Sequence, residues 1–153
     1  MSFIHSTSEI QTKNIGSNVY IWQYCVILAN AKIGNNCKIG CNVFIENDVI
    51  IGNNVTIKNG VQIFDGVTIK DNVFIGANTV FCNDKYPKPN NKNFKLEKII
   101  INENVSIGAN VTILPGITIG KNVVVGAGSV VTKTINDNCV VVGNPAKKIK
   151  EIF

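Results

Sequence analysis

The chain has 153 residues and a formal net charge of +5, carried by lysine alone since arginine is absent. That length suits one domain, and no apolar run approaches the roughly twenty residues of a membrane-spanning helix. The N-terminus lacks a basic region followed by an apolar core, so no signal peptide is expected and a cytoplasmic location is. The lysines are spread along the chain with no aromatic ladder, which argues against nucleic acid and for a surface that prefers small anionic ligands.

Residues 1–14 carry the sole histidine, His5, and are expected to cap the domain. From Ile15 a large apolar residue recurs at every sixth position: Ile15, Ile21, Ile27 and so on to Ile75 and Phe81. The rhythm breaks, then resumes at Ile101, Ile107, Ile113, Ile119, Val125 and Val131. A unit this short is one strand and one turn, too small for a helical pair or a propeller blade. Its first and fifth residues point inward. Its fourth is almost always Asn or Gly, as at Asn36, Asn54, Gly60 and Asn122, residues that accept positive φ at low cost. Such hexapeptides predict a parallel β-helix in which three strands close a coil and residues eighteen apart stack. Coils are expected over 15–81 and 101–136, about six in all.

Within the first coils, Trp22, Gln23 and Tyr24 replace the usual corner residues. An aromatic corner serves to stack on a ligand base, to meet another subunit, or simply to pack. The five cysteines are odd in number and form no CxxC. Cys25 and Cys37 fall at the inward fifth position, so packing is favoured over redox or metal roles, and no metal site is expected. Residues 82–100 form an insertion that adds fourteen residues at one corner, which a solenoid tolerates because neighbouring coils still stack. It holds Pro87, Pro89 and five lysines, with Phe94 and Leu96 placed to pin it down. It is either a functional loop or a tolerated surface excursion. The tail, 137–153, leaves the repeat and is expected to form a short helix after Pro145.

Two stacked columns stand out. Asn47, Asp65 and Asn83 occupy third positions eighteen apart, and beyond the insertion the same column continues to Pro115 and Lys133. It puts a carboxylate between two carboxamides at the root of the loop, although Asn and Asp are also ordinary turn formers. The second column is Gly76-Ala77, Gly108-Ala109 and Gly126-Ala127. It is smooth enough for a long flexible ligand to lie along the backbone, or it merely eases the turns.

The repeat, the interrupting loop, the run Gly126-Ala127-Gly128-Ser129-Val130-Val131-Thr132-Lys133 and the run Val142-Gly143-Asn144-Pro145-Ala146-Lys147 together resemble the hexapeptide-repeat acyltransferases. The resemblance implies an all-β, left-handed parallel β-helix; handedness comes from it alone, since parallel crossovers are otherwise right-handed. It implies acetyl-CoA as acyl donor, no metal, and a homotrimer with sites between subunits. More narrowly, residues 57–67, 71–76 and Val80-Phe81-Cys82-Asn83-Asp84-Lys85-Tyr86-Pro87 resemble the nucleotide-sugar 3-N-acetyltransferases of surface polysaccharide (lipopolysaccharide, O-antigen) biosynthesis, which act on dTDP-3-amino-3,6-dideoxyhexoses.

That narrower resemblance implies Asn83 and Asp65 as catalytic residues. Asn47, Asp84, Tyr86 and Trp22 would bind the substrate, and Gly76, Ala77, Ala109, Ala127 and Lys133 the cofactor. Asp65 stands where glutamate is common, and Asn47 where some relatives have histidine. With His5 outside the coils, no imidazole is available to deprotonate a hydroxyl, whereas an amine needs only its neutral form; N-acetylation is therefore favoured. Acceptors left open are a UDP-linked 3-amino sugar, a 4-amino sugar and a sugar hydroxyl. A γ-type carbonic anhydrase would need three zinc-binding histidines, and a non-catalytic scaffold would not retain a CoA site.

Overall fold

A computed structural model describes residues 1–152. It is a parallel β-solenoid with three faces and no helix among the described residues, so no helix is long and apolar enough to cross a membrane. Each strand is mostly two residues long, and the chain turns a corner after each. Face A carries strands from Phe3–Ile4 and Tyr20–Ile21 through Phe74–Ile75 to Cys139–Val142; face B runs from Glu9–Ile10 to Val130–Val131; face C from Lys32–Ile33 to Thr118–Ile119. The corners are named by the faces they join, AB, BC and CA.

Registers bear out the eighteen-residue coil: Ile45 pairs with Ile63, and Ile63 with Phe81. Across the insertion Ile69 pairs with Ile101, so the fourteen extra residues leave the stack in step. The inward first and fifth positions make one continuous core, with Ile21, Ile63, Val61, Phe81 and Val111 wholly buried. Each such aliphatic side chain contributes roughly 1.5–3 kcal/mol by burial. Most fourth-position residues, Asn30 and Asp48 being exceptions, adopt the expected left-handed backbone, from Asn18 (φ 56°) through Gly60 (φ 74°) to Asn122 (φ 56°). On the CA corner their amides also stack, as in Asn18 Nδ2 to Asn36 Oδ1 at 2.9 Å and Asn54 Nδ2 to Asn72 Oδ1 at 3.1 Å.

The solenoid is longer than the six coils expected. Face A alone stacks eight parallel strands, giving about eight turns. Residues 1–14 lie on the edge of the first coil and supply strands Phe3–Ile4 and Glu9–Ile10, bonded through Phe3 N–H to Val19 O (2.8 Å) and Glu9 N–H to Cys25 O (2.8 Å). There Ile4 pairs with Ile21, seventeen residues on rather than eighteen. At the other end Val125 pairs with Val141, sixteen on. These short coils hide the end turns from a strict six-residue count. Strand Ile99–Ile101 likewise begins inside the stretch expected as loop, because Ile99 fills the buried fifth position.

The C-terminal helix is not found. Lys147–Glu151 is instead a strand, antiparallel to Cys139–Val142. A helix of so few residues has a costly nucleus, whereas the last face-A strand presents unpaired backbone groups that a returning strand satisfies and shields.

Candidate functional site

The stacked registers place Asn47, Asp65 and Asn83 two residues beyond Ile45, Ile63 and Phe81, one above another on the BC corner. All three are half-buried. Part of this column does ordinary turn work. The Asp65 carboxylate accepts the Asp48 N–H at 2.8 Å, and Asn47 Oδ1 accepts the Asn30 N–H at 3.4 Å. The same device recurs on the CA corner, where Asn35, Asn53 and Asp71 each accept a backbone N–H from the coil before. Asn83 differs: its carboxamide has no hydrogen-bond partner among the described residues, because the corresponding N–H of the coil before, that of Gly66, is bonded to Asp48 O at 3.1 Å.

The loop departs from this point. Its return is anchored by Leu96, which lies against Gly66, and by the ion pair Lys85–Glu97 at 3.7 Å. Phe94 and Leu96 are similarly exposed, and of the two expected pins Leu96 is the one that lies against a coil. Asp84 accepts the Tyr86 N–H at 3.0 Å, and Tyr86 projects outward with 73% of its surface exposed. A cavity of about 200 Å³ opens among Asp84, Lys85, Tyr86, Asn93 and Phe94.

Sequence reasoning missed Glu46. Its Oε2 accepts the Asp65 N–H at 2.7 Å, so a second carboxylate stands beside Asp65. The signal was present: Glu46 is the acid in a second-position column that otherwise reads Leu28, Phe64, Cys82, Leu114 and Thr132. Phe44 and Phe64 flank it with ring centroids 5.9 Å apart. Cys82, at the loop root, has its thiol pushed above the ordinary value by burial and is protonated at neutral pH, which speaks against a thiolate nucleophile there.

The Gly76-Ala77, Gly108-Ala109 and Gly126-Ala127 column runs along the AB corner, on the other edge of face B. The glycines are there for packing: a Cβ on Gly108 would sit 2.5 Å from Ala127 N and 2.7 Å from its Cα. Their N–H groups are committed, Gly76 to Ile107 O, Gly108 to Val125 O and Gly126 to Val141 O, each at 2.8 Å. The carbonyls of Ala77 and Ala109 are committed too, to Asn110 and Gly128 N–H. The N–H groups of Ala77, Ala109 and Ala127 have no partner among the described residues. They form a row of donors, one per coil, spaced about 4.7–4.9 Å.

The remaining expected residues divide between the edges. Trp22 stands on the AB corner, three coils or about 14 Å from Gly76, and not beside Asp65 and Asn83. Lys133 stands on the BC corner with Pro115 and not with the alanines. His5 precedes Trp22 on the AB corner and hydrogen-bonds Thr7 at 2.9 Å, far from either column. No group of three His, Cys, Asp or Glu side chains able to hold a metal occurs among the described residues.

A family model described as bacterial transferase hexapeptide (six repeats) matches residues 12–47, 48–83 and 98–133, leaving out most of the loop. The chain belongs to this family. A second model, the hexapeptide repeat of succinyl-transferase, matches 30–65 of this hexapeptide transferase. No curated protein matches it. Among solved structures, a hexapeptide-repeat acetyltransferase of Vibrio cholerae complexed with acetyl coenzyme A is 29% identical, covering 79% of this chain and 70% of that one, with a TM-score of 0.71. A variant of AntD, an N-acyltransferase of Bacillus cereus complexed with dTDP and coenzyme A, is 31% identical, covering 91% and 83%, with a TM-score of 0.57. A variant of perosamine N-acetyltransferase from Caulobacter crescentus, complexed with CoA and GDP-perosamine, shares the fold at 18% identity and a TM-score of 0.55; the hexapeptide transferase spans 57% of its length.

Proposed function

We propose that this hexapeptide transferase moves an acetyl group from acetyl-CoA to the amino group of a nucleotide-linked amino sugar, a dTDP-3-amino-3,6-dideoxyhexose by preference. The reading is supported above all by the similarity to AntD, an N-acyltransferase complexed with dTDP and coenzyme A, at 31% identity over 83% of that chain. The pantetheine arm lies along the AB corner, its amides meeting the free N–H groups of Ala77, Ala109 and Ala127. One of these donors, Ala77 foremost, faces the thioester oxygen as charge develops on it.

The acceptor amine attacks the thioester carbon. The C–N bond forms, the C–S bond breaks, and the proton lost by nitrogen leaves with the CoA thiol. Asn83, whose carboxamide is uncommitted, and the second oxygen of Asp65 orient the amine. Glu46 beside them favours cationic character at nitrogen. An amine on an electron-withdrawing sugar is partly neutral near pH 7, so positioning supplies most of the rate, with effective molarities of up to roughly 10⁵–10⁸ M. Asn47, Asp84 and Tyr86 bind the sugar. The working enzyme is a trimer, as the family resemblance implies, and the placement of the donor and acceptor columns on opposite edges of face B suits one copy's AB corner meeting the next copy's BC corner. It works in the cytoplasm, for surface polysaccharide synthesis.

The test is thiol release from acetyl-CoA with a panel of acceptors: dTDP-3-amino-3,6-dideoxy-glucose and -galactose, a dTDP-4-amino sugar, a UDP-3-amino-glucuronate and an unactivated amino sugar. Fast release with one 3-amino dTDP sugar is expected. Release with the UDP-linked or 4-amino compound alone overturns the substrate, and silence across the panel overturns N-acetyl transfer to nucleotide sugars.

A further inference from the structure

On the same AB corner as the alanine column but toward the first coils, face A carries a recess. Asn18, Tyr20, Trp22 and Lys38 line a cavity of about 410 Å³. A second of about 150 Å³ adjoins it, sharing Trp22 and Lys38 and continuing over Gly40 to Lys58. The registers explain the layout. Tyr20 pairs with Lys38 and Lys38 with Thr56, so their side chains form one outward row. Trp22, Gly40 and Lys58 form the next row; Trp22 and Lys58 stand two coil steps, about 9–10 Å, apart along the backbone stack, and Gly40, buried against Asn59, projects no side chain between them.

Two observations suit this recess to an aromatic ring joined to phosphate. Trp22 is 46% exposed, yet its ring packs on Phe3 at 5.6 Å with the planes tilted by 57°, so a rigid π-surface lines both cavities. Lys38 and Lys58 are exposed and form no ion pair among the described residues, and no acidic side chain lines either cavity. Aromatic faces stack on nucleobases, and uncompensated lysines attract phosphate.

Resting on the functional reading above, we propose that Tyr20, Trp22, Lys38 and Lys58 form a nucleotide clamp: the base stacks on Trp22 across Gly40, and the phosphates meet the two lysines. The chemistry serves either the nucleoside diphosphate of the acceptor or the phosphorylated adenosine of CoA.

Trp22 is the sole tryptophan, so its emission reports on this recess alone. The experiment titrates the full chain with dTDP, UDP, CoA, adenosine 3′,5′-bisphosphate and inorganic pyrophosphate, following tryptophan fluorescence. Saturable quenching by dTDP or UDP supports the clamp and assigns it to the acceptor. Quenching by CoA and the bisphosphate alone supports it and assigns it to the cofactor. In either case a Lys38→Ala, Lys58→Ala double variant, folded by its melting curve, binds at least tenfold more weakly. No response to any nucleotide, or unchanged affinity in the double variant, overturns the proposal. The titration needs no turnover, so quenching in a protein silent in the thiol assay rejects the reaction and keeps the clamp, while turnover without quenching does the reverse.

Discussion

Replacing Gly108 with alanine separates the two reasons for small residues on the AB corner. The glycine has ordinary negative φ, so the added methyl brings no backbone strain. It does bring a Cβ to 2.5 Å from Ala127 N and 2.7 Å from Ala127 Cα, where non-bonded carbon contacts sit near 3.5–4.0 Å. The coil must open by about 1 Å to relieve that overlap, and the bond it opens is Gly108 N–H to Val125 O, now 2.8 Å. Overpacking costs about 1–3 kcal/mol and the weakened hydrogen bond about 1 more, so the loss is about 2–4 kcal/mol. For a chain of this size that lowers the melting temperature by about 4–16 °C, measurable by circular dichroism and calorimetry. Gly128→Ala is the comparison: its φ is 72° and nothing lies within 4 Å of the new methyl, so it costs only the left-handed penalty of about 1–2 kcal/mol. A Gly108→Ala protein that melts with the wild type, or above Gly128→Ala, refutes tight coil contact as the reason for the glycine.

Asn83→Ala should cut kcat at least tenfold in the thiol-release assay with the melting curve unmoved, since its carboxamide bonds nothing in the fold; equal turnover removes it from the site. Tyr24→Asn should raise stability by about 1 kcal/mol, because asparagine tolerates the left-handed region that tyrosine occupies at 63% exposure; an unchanged urea midpoint counts against strain at this corner. Burial raises the thiol pKa values of Cys25 and Cys37 above 9.0 in the folded chain. The unfolded chain therefore releases these protons first, so their contribution is fully present below the unfolded pKa and is lost as pH rises through 9 toward the folded values. Urea midpoints at pH 7 and pH 10 should differ in that direction, and a higher midpoint at pH 10 would contradict it.

The body of the solenoid was legible because its signal is local and repeated. An isoleucine every six residues with Asn or Gly three places later fixes strand, corner and inward face at once, and the insertion declared itself as the only break. The ends were not legible, because their coils are seventeen and sixteen residues long. Dropping a residue at a corner leaves the hydrogen-bonded ladder intact but destroys the count. The tail misled for another reason. Ala146-Lys147-Lys148-Ile149-Lys150-Glu151 has good helix formers, but the free edge of Cys139–Val142 decides its state, and that edge is a tertiary fact.

For the site, the same periodicity that revealed the columns also concealed their meaning. Spacing put Asn47, Asp65 and Asn83 in one stack, and the structure agrees, yet spacing cannot tell a side chain spent on the backbone from one left over. Asp65 has an oxygen on Asp48 N–H while Asn83 bonds nothing, because the N–H in the coil before that would have used it, that of Gly66, goes to Asp48 O instead. The glycines and alanines of the AB corner divide the same way, the glycines held by close coils and the alanines keeping an unpaired N–H. Polar groups without internal partners are what a solenoid has to offer a ligand. Here they fall on two edges separated by the width of face B, so a ligand touching both must either cross that face or lie between two copies of the chain.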